Sequence, residues 1–425
     1  MSWSLATRAL LVLFSLNLLD YLDRYLIASL GSLVKSEMAL SDKAFGFLGT
    51  AFFLVYLVSS PVFGHLGDRW GRIRLMAAGA VLWSLATSLT FWVATYPALV
   101  LARGAVGIGE ASFGTLAPAY LADILPLGRR ARALGLFYLA LPVGSALAYL
   151  VGGIMGGHWG WRPAFLVAGL PGLIMSALVY RLPAQARVNP RKPLPAPARS
   201  WPLAETWGLF KIPTLRLVTL GYGLVTFALG GLAFWMPHYL EVAKGLSLPQ
   251  ANLLLFGAVA VAGGLGTLMG GFLGDRLLVY TLGAPLWVSG LGITLALPLA
   301  ALAIFAATPA LYLPALVLAI FLLFLNPGVL TAVVVSVAGP WRRAQAVALN
   351  IVVIHLLGDV PSPFLIGWVS DYWSLKWGVS LTLVALAAGA VLIFLAVPHL
   401  GPDLAAAGEA GGRDPEDFSG PGLQG

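Results

Sequence analysis

The sequence predicts an all-α integral membrane protein, with twelve transmembrane helices in two pseudo-symmetric six-helix halves. Three observations carry this. The chain is 59% hydrophobic and 10% charged, with mean hydropathy +0.90, whereas a soluble domain carries about 25% charge. Apolar stretches of the roughly 20 residues that cross a bilayer recur near 8–34, 45–66, 74–95, 97–122, 133–155, 161–182, 212–240, 250–274, 281–306, 309–337, 345–370 and 377–398. The halves also repeat. Gly64-His65-Leu66-Gly67-Asp68-Arg69 after span two returns as Gly271-Phe272-Leu273-Gly274-Asp275-Arg276 after span eight. At nearly the same offset, Arg129-Arg130-Ala131-Arg132-Ala133 before span five returns as Arg342-Arg343-Ala344-Gln345-Ala346 before span eleven. Two such halves with a site near the midplane make a transporter architecture.

Span one holds Asp20, Asp23 and Arg24 in its middle. Ionised groups at that depth cost at least ~2.5–3.5 kcal/mol each, so they face a protein interior or a watery cavity and pair with one another. The stretch is too long for the apolar region of a signal peptide and keeps its charges central, so a retained helix is expected. Asp20 and Arg24 are i,i+4 neighbours in the favourable acid-first order, with Asp23 alongside. In span four, Arg103 and Glu110 share one face and are separated by ~10 Å along the axis. Span one runs outward and span four inward. The pair therefore stacks an arginine level outside a carboxylate level, within roughly one to two turns.

The connections fix the orientation. Arg69, Arg72 and Arg74 follow span two, Arg129, Arg130 and Arg132 precede span five, and Arg342 and Arg343 precede span eleven. The linker after span six adds Arg187, Arg191, Lys192, Arg199 and Lys211. The opposite side has only Lys35, Lys43, Arg162, Lys244 and Lys376, so both termini are expected in the cytoplasm by the positive-inside rule. The net charge of +8 is then a consequence of topology and requires no nucleic acid. The predicted domains are an N-terminal half (1–182), a Pro-rich cytoplasmic linker (183–211), a C-terminal half (212–399) and a disordered Gly-, Pro- and acid-rich tail (400–425). The chain has no cysteine, no His pair with metal spacing and no Gly-x-Ser-x-Gly elbow, and every external loop is short. Neither an enzyme nor a metal or other cofactor is expected.

The stretch from Gly64 to Arg74 resembles the loop signature of the major facilitator superfamily, G-x-L-x-D-R-x-G-R, at nearly every defined position. The resemblance implies the major facilitator fold and a breakable cytoplasmic latch. Asp68, Arg69 and Arg72 would form it with Asp123, which closes span four, and with Arg129. In the second half Asp275 repeats Asp68, but Ser336 stands where Asp123 is in the first, so the two latches should differ in strength.

A narrower resemblance, to the Spinster family, rests on several blocks. They are Asp23-Arg24-Tyr25; Arg103-Gly104-Ala105-Val106-Gly107-Ile108-Gly109-Glu110; Phe137-Tyr138 with Pro142 and Gly144; His355-Leu356-Leu357-Gly358-Asp359-Val360-Pro361-Ser362-Pro363; and Gly367, Ser370 and Asp371. The resemblance implies an alternating-access transporter of a lysophospholipid or similar amphiphile, with spans one and four lining a central cavity and their five charges in one network. Arg24 and Arg103 would hold an anionic headgroup. Asp23 and Glu110 would carry the proton, with Asp20 and Asp359 secondary, and Phe137 and Tyr138 would line the acyl cavity. His355, one turn before Asp359, either packs or carries a proton, and Asp359 either titrates or holds backbone amides at a Pro-rich break. Gly230-Gly231 and Asn326-Pro327-Gly328 are hinges or passive kinks. Gly144, Ala148, Tyr149, Gly152 and Gly153 partly match an antiporter motif of drug/proton exchangers, but small residues at this spacing also serve helix packing. The rival readings are a drug/proton antiporter of the same superfamily and a membrane lipid sensor without transport. The expected setting is a monomer in the inner membrane of a prokaryote, with lipid and protons as its partners.

Overall fold

A computed structural model describes residues 3–125, 127–183, 206–339 and 342–409. Ten of its helices are long and apolar enough to cross a membrane. Spans one (Trp3–Ser29) and four (Tyr96–Ile124) complete the twelve, and they carry the buried arginines Arg24 and Arg103. Span two is Asp42–Trp70, span three Arg72–Leu89 and span six Trp161–Tyr180. Span five joins Leu127–Tyr138 to Ala140–Trp159. In the second half, span seven is Pro213–Lys244, nine Ala284–Phe305 and twelve Leu375–Glu409. Span ten breaks between Pro309–Leu323 and Asn326–Val337. Spans eight and eleven each contain a π-helical turn, Ala258–Gly263 and His355–Asp359, a local widening frequent at functional sites.

Local chemistry explains the ends. Ser41 caps span two by accepting the Ala44 N–H at 3.2 Å, which satisfies one of the orphan donors of a helix start. Gly71, at φ 88°, turns the chain from span two directly into span three, a conformation open to glycine at no steric cost.

The helices gather into two compact units. One comprises Met1–Leu194, Ala233–Ala260 and Pro363–Gly378; the other comprises Pro195–Leu232, Val261–Ser362 and Val379–Gly425. The division cuts within the predicted linker and also through spans seven, eight, eleven and twelve. Residues 184–205, most of that linker, lie outside the described residues.

Within the first unit, span four threads between spans two and three because it is stripped to glycine at both contacts. A side chain at Gly107 would meet the Phe52 carbonyl at 2.6 Å, and one at Gly109 would meet the Gly79 carbonyl at 2.6 Å. The small residues of span five form its seam with span one. A side chain at Gly144 would meet the Leu18 carbonyl at 2.7 Å and one at Gly152 the Ser29 hydroxyl at 1.9 Å, while Tyr149 donates to the Ala233 carbonyl at 2.8 Å. Here the partial antiporter motif is helix packing.

The second unit packs Leu215, Val225, Ile293, Val334, Leu386 and Ile393 into one apolar core. Its last helix corrects the predicted tail: residues 400–409 are helical, through Pro398 and Pro402. The anchor is Asp403, whose carboxylate accepts the Thr214 N–H at 2.8 Å and so caps the start of span seven. Residues beyond 409 lie outside the described ones.

Candidate functional site

The charges of spans one and four meet in the first unit. Asp20 and Asp23 are each 2% exposed, Arg24 9%, Arg103 2% and Glu110 0%. They form two rungs. On the first, Arg24 Nε and Nη2 donate to Glu110 Oε2 at 3.1 and 3.0 Å, and Nη2 also donates to Asp20 Oδ1 at 3.0 Å. Two carboxylates thus converge on one guanidinium nitrogen. On the second, Arg103 Nη2 donates to the Arg24 backbone carbonyl at 3.3 Å, and Nη1 lies 3.9 Å from Asp23 Oδ1. The Thr87 hydroxyl, from span three, donates to the other oxygen of Asp23.

Aromatic rings complete the surround. The Arg24 guanidinium carbon lies 4.7 Å from the ring centre of Tyr21, 5.3 Å from Phe52 and 5.1 Å from Tyr56; that of Arg103 lies 4.8 Å from Phe52. Phe52 therefore touches both cations, whose charge its face favours.

The cluster is under-satisfied. Asp23 Oδ1, Arg103 Nε and Glu110 Oε1 are buried without a hydrogen-bond partner, and an unpaired buried polar atom is expensive. Its charge is also uneven, with three carboxylates against two guanidiniums. One proton on a carboxylate would even the charge, and a new acceptor within reach of Arg103 Nε would satisfy its open donor.

The remaining predicted residues divide. Asp359 Oδ2 lies 2.6 Å from His355 Nδ1 across the π-turn of the second unit. A side chain at Gly230 would come within 2.2 Å of the other Asp359 oxygen, so the span-seven glycine makes room for that carboxylate. Phe137 is 1% exposed, with its ring against Phe113, while Tyr138 is 50% exposed. At the arginine-rich end, Arg72 pairs with Asp123 and Arg69 is exposed. The side chains of Asp68 and Arg129 lie outside the described residues. Asp275 is exposed and has no ion-pair partner among the described residues, and Ser336 folds back on the Ala332 carbonyl.

Sequence reasoning missed Thr87, Phe52 and Tyr56. The last two are an i,i+4 aromatic pair on span two, a signal indistinguishable from ordinary apolar packing. It also missed a polar cluster at the arginine-poor end, built on His238.

Comparison with known proteins agrees with this architecture. The Major Facilitator Superfamily profile matches residues 13–358. A protein spinster homolog 1 from Xenopus tropicalis is 34% identical over 380 residues, covering 85% of this chain and 72% of the relative. A sphingosine-1-phosphate transporter of the same frog is 33% identical over 409 residues, covering 87% and 75%. Among solved structures, a bacterial homolog of the human lysosomal transporter Spinster, inward-facing and unoccupied, superposes with TM-score 0.86 at 22% identity, over 95% of this chain and 99% of that one.

Proposed function

Because the chain belongs to the Spinster family of the major facilitator superfamily, and is thus a multi-pass membrane transporter and not an enzyme, we propose that it moves a lysophospholipid or similar anionic amphiphile by alternating access, coupled to protons. The observation that carries this reading is the unbalanced, buried cluster of Asp20, Asp23, Arg24, Arg103 and Glu110.

The cluster suits a phosphate. A guanidinium presents a planar fork of donors that matches phosphate oxygens, and Arg103 Nε is a donor with no acceptor. A phosphate that takes Arg24 removes the cation on which Asp20 and Glu110 converge. A buried carboxylate deprived of its cation takes up a proton. Headgroup and proton binding therefore favour each other by linkage. Asp23, held by Thr87 and Arg103, is the second proton carrier. Tyr138, half-exposed, is the acyl-chain contact, and Phe137 packs behind it. The relative named for sphingosine-1-phosphate supports the class, a phosphate on a single long chain. Arg72 and Asp123 act as the breakable latch at the cytoplasmic end.

Reconstitution in liposomes tests both parts. The expected result is lysophospholipid transport accelerated by an imposed pH gradient, with Glu110→Gln indifferent to it. Wild-type transport indifferent to the gradient would remove the proton. If lysolipid gives no thermal stabilisation while a panel of cationic drugs does, the protein is a drug/proton antiporter instead.

A further inference from the structure

A second polar cluster, sharing no residue with the first, lies at the arginine-poor end of the first unit. It joins the short helix Gly31–Met38, the start of span two, and the last turns of spans seven and eleven. Span eleven supplies one clasp. The Asp371 carboxylate accepts the Asp42 N–H at 2.8 Å and the Lys43 N–H at 3.0 Å, capping span two from another helix. Ser370 donates to the Asp42 carboxylate, and a side chain at Gly367 would meet the Asp42 carbonyl at 2.3 Å. All three residues belong to one block of the Spinster resemblance.

Span seven supplies the other clasp. His238 is 8% exposed. Its Nε2 lies 2.8 Å from Lys35 Nζ and its Nδ1 2.7 Å from Ser32 Oγ, while the Ser32 hydroxyl donates to Glu241 Oε1 at 2.7 Å. Lys35 also pairs with Asp42, whose Oδ1 lies 3.9 Å from His238 Nε2. The groups that face the ring are thus Ser32 and Lys35 from the short helix and Asp42 from span two, with Trp235 beside it on its own helix. Glu241 is reached through Ser32, and Ser370 through Asp42.

Donor and acceptor chemistry fixes the charge state of this arrangement. An ammonium can only donate, so Nε2 accepts from Lys35 and the ring is neutral, with its hydrogen on Nδ1 donated to Ser32. The run Lys35 to His238 to Ser32 to Glu241 then has one direction and every member is matched. A protonated ring has donors at both nitrogens and would face the Lys35 cation at contact distance.

We propose that His238 is a proton-binding site at the arginine-poor end of the protein, and that its protonation releases the outer end of span seven from the Gly31–Met38 helix. The site takes its proton independently of Glu110. It makes acid on that side a signal to open that side.

The chain has no cysteine, so two introduced thiols are its only ones. Ser36→Cys and Val242→Cys place spin labels on exposed positions of the two elements, outside the hydrogen-bonded run. The distance between them is read in the full-length protein in lipid nanodiscs, from pH about 8 down to about 4, an interval that extends below the ordinary histidine range. The expected result is a short-distance population at high pH that gives way several-fold to a longer one in acid. In His238→Gln, whose amide can accept from Lys35 and donate to Ser32 at any pH, the short distance persists throughout. In Lys35→Met the one charged group left facing the imidazolium is Asp42, and acid no longer opens the pair. A wild-type distance that ignores pH, or acid opening that survives in His238→Gln, overturns the proposal.

Discussion

Span four and its sequence counterpart, span ten, occupy the same place in two copies of one pattern and have opposite interiors. Span four buries Arg103 and Glu110 among carboxylates, a guanidinium and aromatic rings. Among the described residues of span ten, the one buried polar side chain is Asn326, and it bonds to the carbonyls of Leu322 and Leu323 on its own helix. The second half has its ionisable pair on span eleven, where His355 and Asp359 satisfy each other within one turn. The loops repeat and the buried chemistry does not. In the first half Asp23, Arg103 and Glu110 find their partners across helices, whereas in the second His355 and Asp359 pair within one helix. A group paired across helices responds when the helices move, and one paired within a helix does not.

That difference orders the expected effects. Arg24→Ala leaves Asp20 and Glu110 buried without their cation, a break that costs roughly 3–5 kcal/mol, so thermal unfolding in detergent should fall sharply and lysolipid stabilisation should vanish. Glu110→Gln should retain the fold and abolish the response of transport to a pH gradient. Thr87→Val removes one donor from Asp23, at about 1–3 kcal/mol; transport should persist with a displaced pH profile, and an unchanged profile would show that Asp23 does not titrate in the cycle. Asp359→Asn should have the smallest effect, a modest loss of thermal stability with the pH response intact. Should Asp359→Asn abolish that response and Glu110→Gln leave it, the two halves would have to exchange roles.

The fold was readable because lipid permits few alternatives: length, apolarity and the placement of arginine define spans. Spans one and four fail a strict apolarity criterion, yet their misplaced charges mark them more clearly than hydropathy does. The Asp20–Arg24 pair was also readable, since it lies within one helix at i,i+4. Pairing between helices was not. Arg103 and Glu110 share a face, but Glu110 turns to Arg24 and Arg103 to Asp23, a choice set by helix rotation that no spacing encodes. Thr87, Phe52 and His238 were illegible for a related reason. Each is an ordinary residue in an apolar run until a neighbouring helix gives it a partner. The tail was misjudged at Pro398 and Pro402 because the sequence does not show that Asp403 has a helix start to cap.

Asp403 has a practical bearing on how the protein is handled. A version trimmed after His399, where composition places the start of the tail, would lose the acceptor of the Thr214 N–H and the last turns of span twelve. Affinity tags and fusion partners therefore belong beyond Glu409, where shortening the chain leaves the first turn of span seven with its cap.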